Sequence, residues 1–461
     1  MILRTGELIT PAVTRAAYSR ALLALTSLAL AGCAHYSSLP LVQTPPLAPS
    51  VAALPGFAPG APLGVAQVTT LALQYNPDLR AARARHGLAQ AQLLQSGILP
   101  NPSFAGALLP LISGAGTVTA WNIGLTQDIK SLITYRARRR AAGYAAQQVD
   151  AEILWREWQV AGQARQFAVA LIAGERSRPL LVEAFDLLSH RNAVLQQALA
   201  AGNATLVTAA PTLVALQSAR THLQTLDQKQ LSLRHQLNAV VGLTPDAVIP
   251  LVRTIDLPPF DPPTIRADLT TLADRRPDLL ALRLGYDAQD ANVRVAILSQ
   301  FPDLIFGGTA TSDNSRVING GPQATLGLPI FDRNQGNVAI ANATRVQLHE
   351  EYTARLAAAA GQVGALLSEM DQLSKQLAIV RRDLPAARLA AQRAANAFGA
   401  SNLDERSYVD LVVNRYTKEQ EIVTLELGML DRQVALQTLL GAGLPSVEIL
   451  QSSPGAKASR Q

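Results

Sequence analysis

The chain is written twice. "NPDLRAARARHGLAQAQLLQSGILPNPSF" begins at Asn76 and "RPDLLALRLGYDAQDANVRVAILSQFPDL" begins at Arg276, so that Pro77 aligns with Pro277 and Pro102 with Pro302. The register of about 200 residues persists to the end of each copy, matching Gly202 with Ser401, Leu223 with Ile422, Leu237 with Leu436 and Gly242 with Gly441. Two structural repeats are therefore expected, over 65–243 and 267–442. A proline-rich connector at 244–266 joins them and a tail at 443–461 follows. Whatever this chain folds into must be built from two similar halves.

Each copy has the same internal order. A helical stretch of about 35 residues ends at a proline, and two short segments of alternating polarity follow. In the first copy Trp121, Ile123, Leu125 and Gln127 alternate with Asn122, Gly124 and Thr126. In the second, Ala324, Leu326, Leu328 and Ile330 alternate with Thr325, Gly327 and Pro329. Such patterns describe strands with one greasy face and one small or polar face. Their partners "SFAGALLPL" and "DLIFGGTAT" lie across loops rich in Gly, Asn and Ser, which predicts one β-hairpin per copy, at about 103–127 and 303–330.

Long helices come next. From about Arg333 to Phe398 a heptad series runs through Leu356, Val363, Met370, Leu377 and Leu384, with a second seam at Leu366, Leu373 and Val380. Some 65 residues of helix would reach roughly 100 Å, beyond the size of a compact domain. The counterpart from about Lys130 to Ala201 places Ile153, Val160 and Phe167 one heptad apart. Returning helices carry Leu216, Leu223 and Leu237, then Ile422, Met429 and Leu436. Pro179 and Pro385 should bend the outgoing helices.

The only cysteine, Cys33, ends the apolar run "ALLALTSLALAGC", which Arg15 and Arg20 precede. That run is too short to span a bilayer and suits a secretory signal peptide over 1–32. "LAGC" at Leu30–Cys33 resembles a lipobox, which implies cleavage before Cys33 and covalent lipid on its thiol and amine. Ala34 follows, in place of the aspartate associated with inner-membrane retention, so the outer membrane is the expected destination. The Pro/Ala-rich stretch of 33–64 reads as a tether.

Several kinds of chemistry find no support. The net charge of +6 comes from basic residues interspersed with carboxylates, apart from the run Arg136–Arg140, so no nucleic-acid partner is expected. His35, His86, His190, His222, His235 and His349 stand apart without ligand spacing, and no nucleophile motif accompanies them. No catalytic residue, metal site or cofactor other than the lipid on Cys33 is expected.

A lone hairpin cannot sit in hydrocarbon with its edges unpaired. One chain offers four strands and three chains offer twelve, enough to close a barrel, although strand number alone does not dictate a trimer. A lipid-anchored periplasmic coiled-coil scaffold without a pore is the alternative reading, and it leaves the alternating hairpins unexplained.

The duplicated unit, "RRPDL" at Arg275–Leu279, "FPDL" leading into a strand and "LPIFDRNQGN" at a strand-to-helix passage together resemble the TolC family of outer-membrane efflux proteins. The lipobox is similar to that of its acylated branch, and "FDRNQG" to the branch serving metal and solvent pumps. The resemblance implies a mainly α chain with a small transmembrane β part. Its homotrimer would form a twelve-stranded β-barrel in outer-membrane lipid, continued by a periplasmic α-barrel tunnel. It also implies a passive exit duct served by a periplasmic adaptor protein and an inner-membrane pump of the resistance-nodulation-division type. The family's periplasmic gate maps onto the turns that hold Gly202 and Asn203 in one copy, and Ser401, Asn402, Asp404, Glu405, Arg406 and Asp410 in the other. Phe398 and Asp410 fit the tip pattern. Ser401 departs from it where glycine is usual, and Thr208 and Ser407 stand where acidic residues are common. The charged cluster could ring the narrowing; equally, Asn402, Asp404 and Glu405 suit the start of a helix.

Overall fold

The computed structural model describes residues 36–55 and 61–447. The signal peptide, Cys33 and most of the tail lie outside them. The chain divides into two units, 1–46 and 47–461. Of the first, residues 36–46 contain neither helix nor strand and are exposed throughout.

The second unit holds both repeats. The first comprises α1 (Val65–Tyr75), α2 (Pro77–Ser96), β1 (Ser103–Leu109), β2 (Ala120–Asp128), α3 (Lys130–Ala200) and α4 (Leu206–Val241). The second comprises the short α5 (Pro262–Asp268) and α6 (Leu272–Arg275), then α7 (Pro277–Leu298), β3 (Leu304–Ser312), β4 (Ile318–Leu326), α8 (Gln335–Gly399) and α9 (Glu405–Leu440). The expected order recurs in both, with three differences.

First, the stretch before each hairpin is not one helix. It breaks at Asn76 and at Arg276, because the following prolines cannot donate within a helix and disfavour helical geometry in the residue before them. Asn76 turns the break into a cap: its side chain accepts from the Leu79 N–H at 2.9 Å and donates to the Val240 carbonyl at 2.8 Å.

Second, β4 starts at Ile318 and stops at Leu326, short of the alternation that runs on to Ile330. The early start follows from Asp313, whose carboxylate accepts from the N–H groups of Ser315 and Val317 at 2.8 and 3.0 Å and tightens the turn. The early end leaves Leu328 and Ile330 exposed.

Third, the seam of α3 is not the series Ile153, Val160, Phe167, which is only half-buried. The buried side of α3 is built on Ala151, Leu154, Trp158, Ala161, Gly162, Ala164 and Ala168. Small residues prevail because α7, α4 and α9 all press on this helix and require close approach. A Cβ on Gly162 would stand 2.7 Å from the Thr438 methyl carbon. In α8 the expected heptad holds, with Val363, Met370 and Leu377 buried.

At 71 and 65 residues, α3 and α8 reach roughly 105 and 100 Å. One core cluster gathers Val68, Leu71, Ala168, Ile172, Leu237 and Leu243, partway along α3, and another gathers Leu279, Val363, Met370 and Leu436 along α8. At the first of them the segment beginning at Leu47 is pinned by parallel bridges, Ala48 to Leu243 at the end of the first repeat and Leu63 to Leu251 in the connector. No described helix is long and apolar enough to cross a membrane.

The helical returns end alike, at Gly242 and Gly441 with φ of +80° and +75°. A Cβ on Gly441 would fall inside the Trp158 indole, whose N–H donates to the Pro445 carbonyl at 2.9 Å. Gly441→Ala therefore combines a left-handed backbone with a steric overlap and should destabilise the fold by about 2–4 kcal/mol. Gly87→Ala, in open helix, should be neutral or slightly stabilising. Thermal unfolding of the detergent-solubilised protein checks both.

Candidate functional site

Two places in the molecule concentrate features that a water-soluble fold does not need. One is the sheet. Its four antiparallel strands lie in the order β1-β2-β3-β4, so the two hairpins of the sequence join through β2 and β3. Residues directly opposite share a face, and the register sets Phe104 against Leu125, Gly106 against Ile123 and Leu108 against Trp121. It continues Leu125 to Gly308 and Gln127 to Phe306, then Phe306 to Ala324 and Leu304 to Leu326. One face therefore carries Phe104, Leu108, Trp121, Ile123, Leu125, Phe306, Ile318 and Leu326. The other carries Ala105, Ala107, Asn122, Thr126, Thr309, Thr311, Asn319, Gln323 and Thr325, with Leu109 and Ile305 near the strand ends.

The apolar face is bare: Phe104, Leu108 and Ile318 are 72%, 76% and 69% exposed. An exposed apolar surface of this extent marks an interaction site. Among the described residues no strand pairs with the outer edge of β1 or of β4. The Ile129 N–H donates to the Leu304 carbonyl, and Asp313 N–H to Val317. Those bonds fix the parity of the ladder. They leave Phe104, Gly106 and Leu108 of β1, and the even-numbered residues of β4, with backbone groups directed outward.

The other place is the tip where each outgoing helix turns back. Asn203 and Asn402 donate their N–H groups to the carbonyls of Ala198 and Ala397, both at 2.8 Å, in equivalent helix-end motifs. Gly202 and Ser401 both take left-handed conformations, at φ +72° and +59°. The alignment of Ser401 with a glycine position is thus correct at the level of the backbone.

The charged cluster does not act as one unit. Asp404 caps α9: its carboxylate accepts from the Ser407 N–H at 2.9 Å and the Ser407 hydroxyl at 2.7 Å, which holds its pKa below the ordinary range. Arg406 and Asp410 face each other at 3.9 Å on the exposed side of α9. Glu405 alone is buried. It accepts both arms of the Arg191 guanidinium from α3 and, at 3.0 Å, the Thr212 hydroxyl from α4. Arg191 in turn lies 4.1 Å over the ring of Phe398, which stacks on Tyr408 at 4.9 Å. This knot ties the helical hairpin of the first repeat to that of the second.

A second tie lies nearer the sheet. Glu183 of α3 accepts from Arg415 at 2.6 Å and from the Tyr416 hydroxyl at 2.9 Å, and Arg388 of α8 pairs with Glu419 at 2.7 Å. The Arg415 hydrogen bond is the leading cause of the lowered Glu183 pKa. Glu183, Arg388, Arg415 and Glu419 line an open cavity of about 680 Å³ between the two hairpins, beside Pro179 and Leu384. Sequence reasoning missed Arg191, Thr212, Glu183 and Arg415. Their partners lie up to 233 residues away, where no spacing rule reaches. Among the described residues no group of three or more His, Cys, Asp or Glu could hold a metal ion.

Known proteins share this construction. The chain is 28% identical to the outer membrane protein OprJ of Pseudomonas aeruginosa over 272 residues, 54% of each protein. It is 39% identical over 125 residues to the fusaric acid resistance protein FusA of Burkholderia cepacia, 24% of this chain and 23% of that one. The match thus spans about half of one curated relative and less of the other. The outer membrane channel CmeC of Campylobacter jejuni has the same fold, with a TM-score of 0.67 at 16% identity over 92% of this chain and 97% of that one. The family described as outer membrane efflux protein matches residues 269–442, the second repeat almost end to end. The first repeat is built to the same plan as the second, on which the match to that family rests.

Proposed function

We propose that this chain is the outer-membrane exit channel of a tripartite efflux pump. Three copies close their sheets into one barrel of twelve strands, and their helices continue it as a tunnel through the periplasm. A periplasmic adaptor and an inner-membrane pump of the resistance-nodulation-division type deliver the cargo, and the duct itself spends no energy. One observation carries this reading: a four-stranded sheet with one bare apolar face, one small and polar face, and two unpaired edges. In hydrocarbon such a sheet is stable only when neighbouring sheets pair its edges, and closure turns the polar face toward water in the lumen. The pore-free scaffold gives this sheet no role.

The tip supports a gate. The Arg191–Glu405 knot holds the two helical hairpins of one subunit together at the far end of helices roughly 100 Å long, where a small angular change moves the tip most. Leu206 and Val207, 77% and 85% exposed in the first turn of α4, offer apolar contacts for the adaptor beside it. Cys33, outside the described residues, is assigned as the acylated N-terminus that holds the mature chain on the outer membrane.

Detergent extracts of outer membranes should yield a trimer that conducts in planar bilayers. Arg191→Ala strands the buried Glu405 carboxylate, weakens the tip by about 3–5 kcal/mol and should raise single-channel conductance several-fold. Asp404→Asn, which keeps an exposed cap residue, should leave conductance at the native level. Equal conductance of the Arg191→Ala and native trimers would remove the gate assignment. Labelled palmitate should enter the native protein and not Cys33→Ser, as read by autoradiography of the immunoprecipitated chain.

A further inference from the structure

The edges of the sheet carry enough information to set how one copy meets the next. Resting on the trimeric barrel of the preceding section, we infer that β1 of one copy pairs with β4 of another in a single register. Phe104 faces Leu328, Gly106 faces Leu326 and Leu108 faces Ala324.

Parity restricts the choice first. Outward-pointing backbone groups belong to even-numbered residues on both edges, and on both edges those residues lie on the apolar face. Pairing even with even therefore continues that face unbroken across the seam, whereas an odd shift would turn it inside out.

Barrel closure restricts it further. Following directly opposite residues from Ser103 leads to Thr126, then Gly307, then Gln323. The residue of the next copy's β1 that faces Gln323 sets the stagger per subunit. With strands rising about 3.3 Å per residue and lying about 4.8 Å apart, twelve strands tilt by roughly 35° for a stagger of four residues and roughly 46° for six. Two residues would give only about 19°, and eight about 54°, outside the usual range for membrane barrels. Staggers in the opposite sense set Phe104 and Gly106 against the turn at 313–317 or its margin, which leaves β1 without a strand to pair with.

Proline decides between four and six. Pro322 lies at an outward position of β4 and has no N–H to give. A stagger of four puts it opposite Leu108 and leaves that carbonyl without a donor inside the ladder. A stagger of six puts it opposite Pro110, past the end of β1. The outward N–H and C=O of Gly106 and Leu108 then find partners on Leu326 and Ala324, as a strand in hydrocarbon requires, while Phe104 meets Leu328 just past the end of β4, whose carbonyl also accepts from the Ile330 N–H at 2.9 Å. The side chains agree, since glycine meets leucine and leucine meets alanine. This register also accounts for the alternation that outlasts β4. Leu328, 70% exposed in the single subunit, gains its strand partner from the neighbouring copy.

Cysteine pairs at positions that face each other without mutual hydrogen bonds test the register in the full-length acylated protein. The Cα atoms there approach to about 4.5 Å, within disulfide reach. Six residues of stagger set Ala107 against Thr325, and four set it against Gln323. Under mild oxidation in outer membranes, the Ala107→Cys, Thr325→Cys variant should give covalently linked trimers on non-reducing gels. The Ala107→Cys, Gln323→Cys variant should link several-fold less. Stronger linking of the second pair, or linking of neither pair in a trimer that native mass measurement shows intact, overturns the register and leaves the channel standing. A monomer by native mass overturns both.

Discussion

A backbone amide in hydrocarbon has no water to bond with, and that constraint shapes this chain more than any other. The duplicated sequence supplies four strands, too few to close on themselves, and the structure leaves β1 and β4 as open edges with their hydrogen-bonding groups directed outward. An unpaired group there costs several kcal/mol. In the proposed trimer the backbone of these edges would be satisfied, and the exposed apolar band of Phe104, Leu108, Ile123, Leu125 and Phe306 would become continuous around the barrel.

The helical part answers a different demand. Two helices of 71 and 65 residues must stay aligned without a globular core around them. Alanine and glycine along α3 allow neighbours close enough for dense packing, while α8 uses a conventional heptad of larger side chains. The ties at Arg191–Glu405 and Glu183–Arg415 join the two repeats beside the small apolar clusters of Ala184, Val412 and Tyr416 and of Leu188, Leu216 and Val409. A buried ion pair of this kind adds little net stability compared with apolar packing, but it fixes which helix faces which.

Much of this was legible in the sequence because the relevant signals are local and periodic. The limits of α3 and α8 were readable to within a few residues, and both hairpins could be placed from their alternation. The heptad reading of α3 selected Ile153, Val160 and Phe167, since periodicity rewards large side chains; the buried face uses small ones. The breaks at Asn76 and Arg276 were marked by prolines whose meaning as helix starts was not drawn from the pattern. At the tip, the turn geometry was readable from the repeat alignment, whereas the roles of Asp404 and Glu405 were not. One residue apart, they differ because Asp404 turns back on its own helix and Glu405 reaches Arg191, 214 positions away.

The two turns at the tip share a shape and an asparagine, Asn203 and Asn402, but differ at the left-handed position. Gly202 leaves its left-handed conformation without steric relief, while Ser401 carries roughly 1 kcal/mol that it sheds on leaving. In the proposed threefold channel the mouth would then be rimmed by slack corners alternating with sprung ones, and force applied evenly around the rim would displace the sprung corners first.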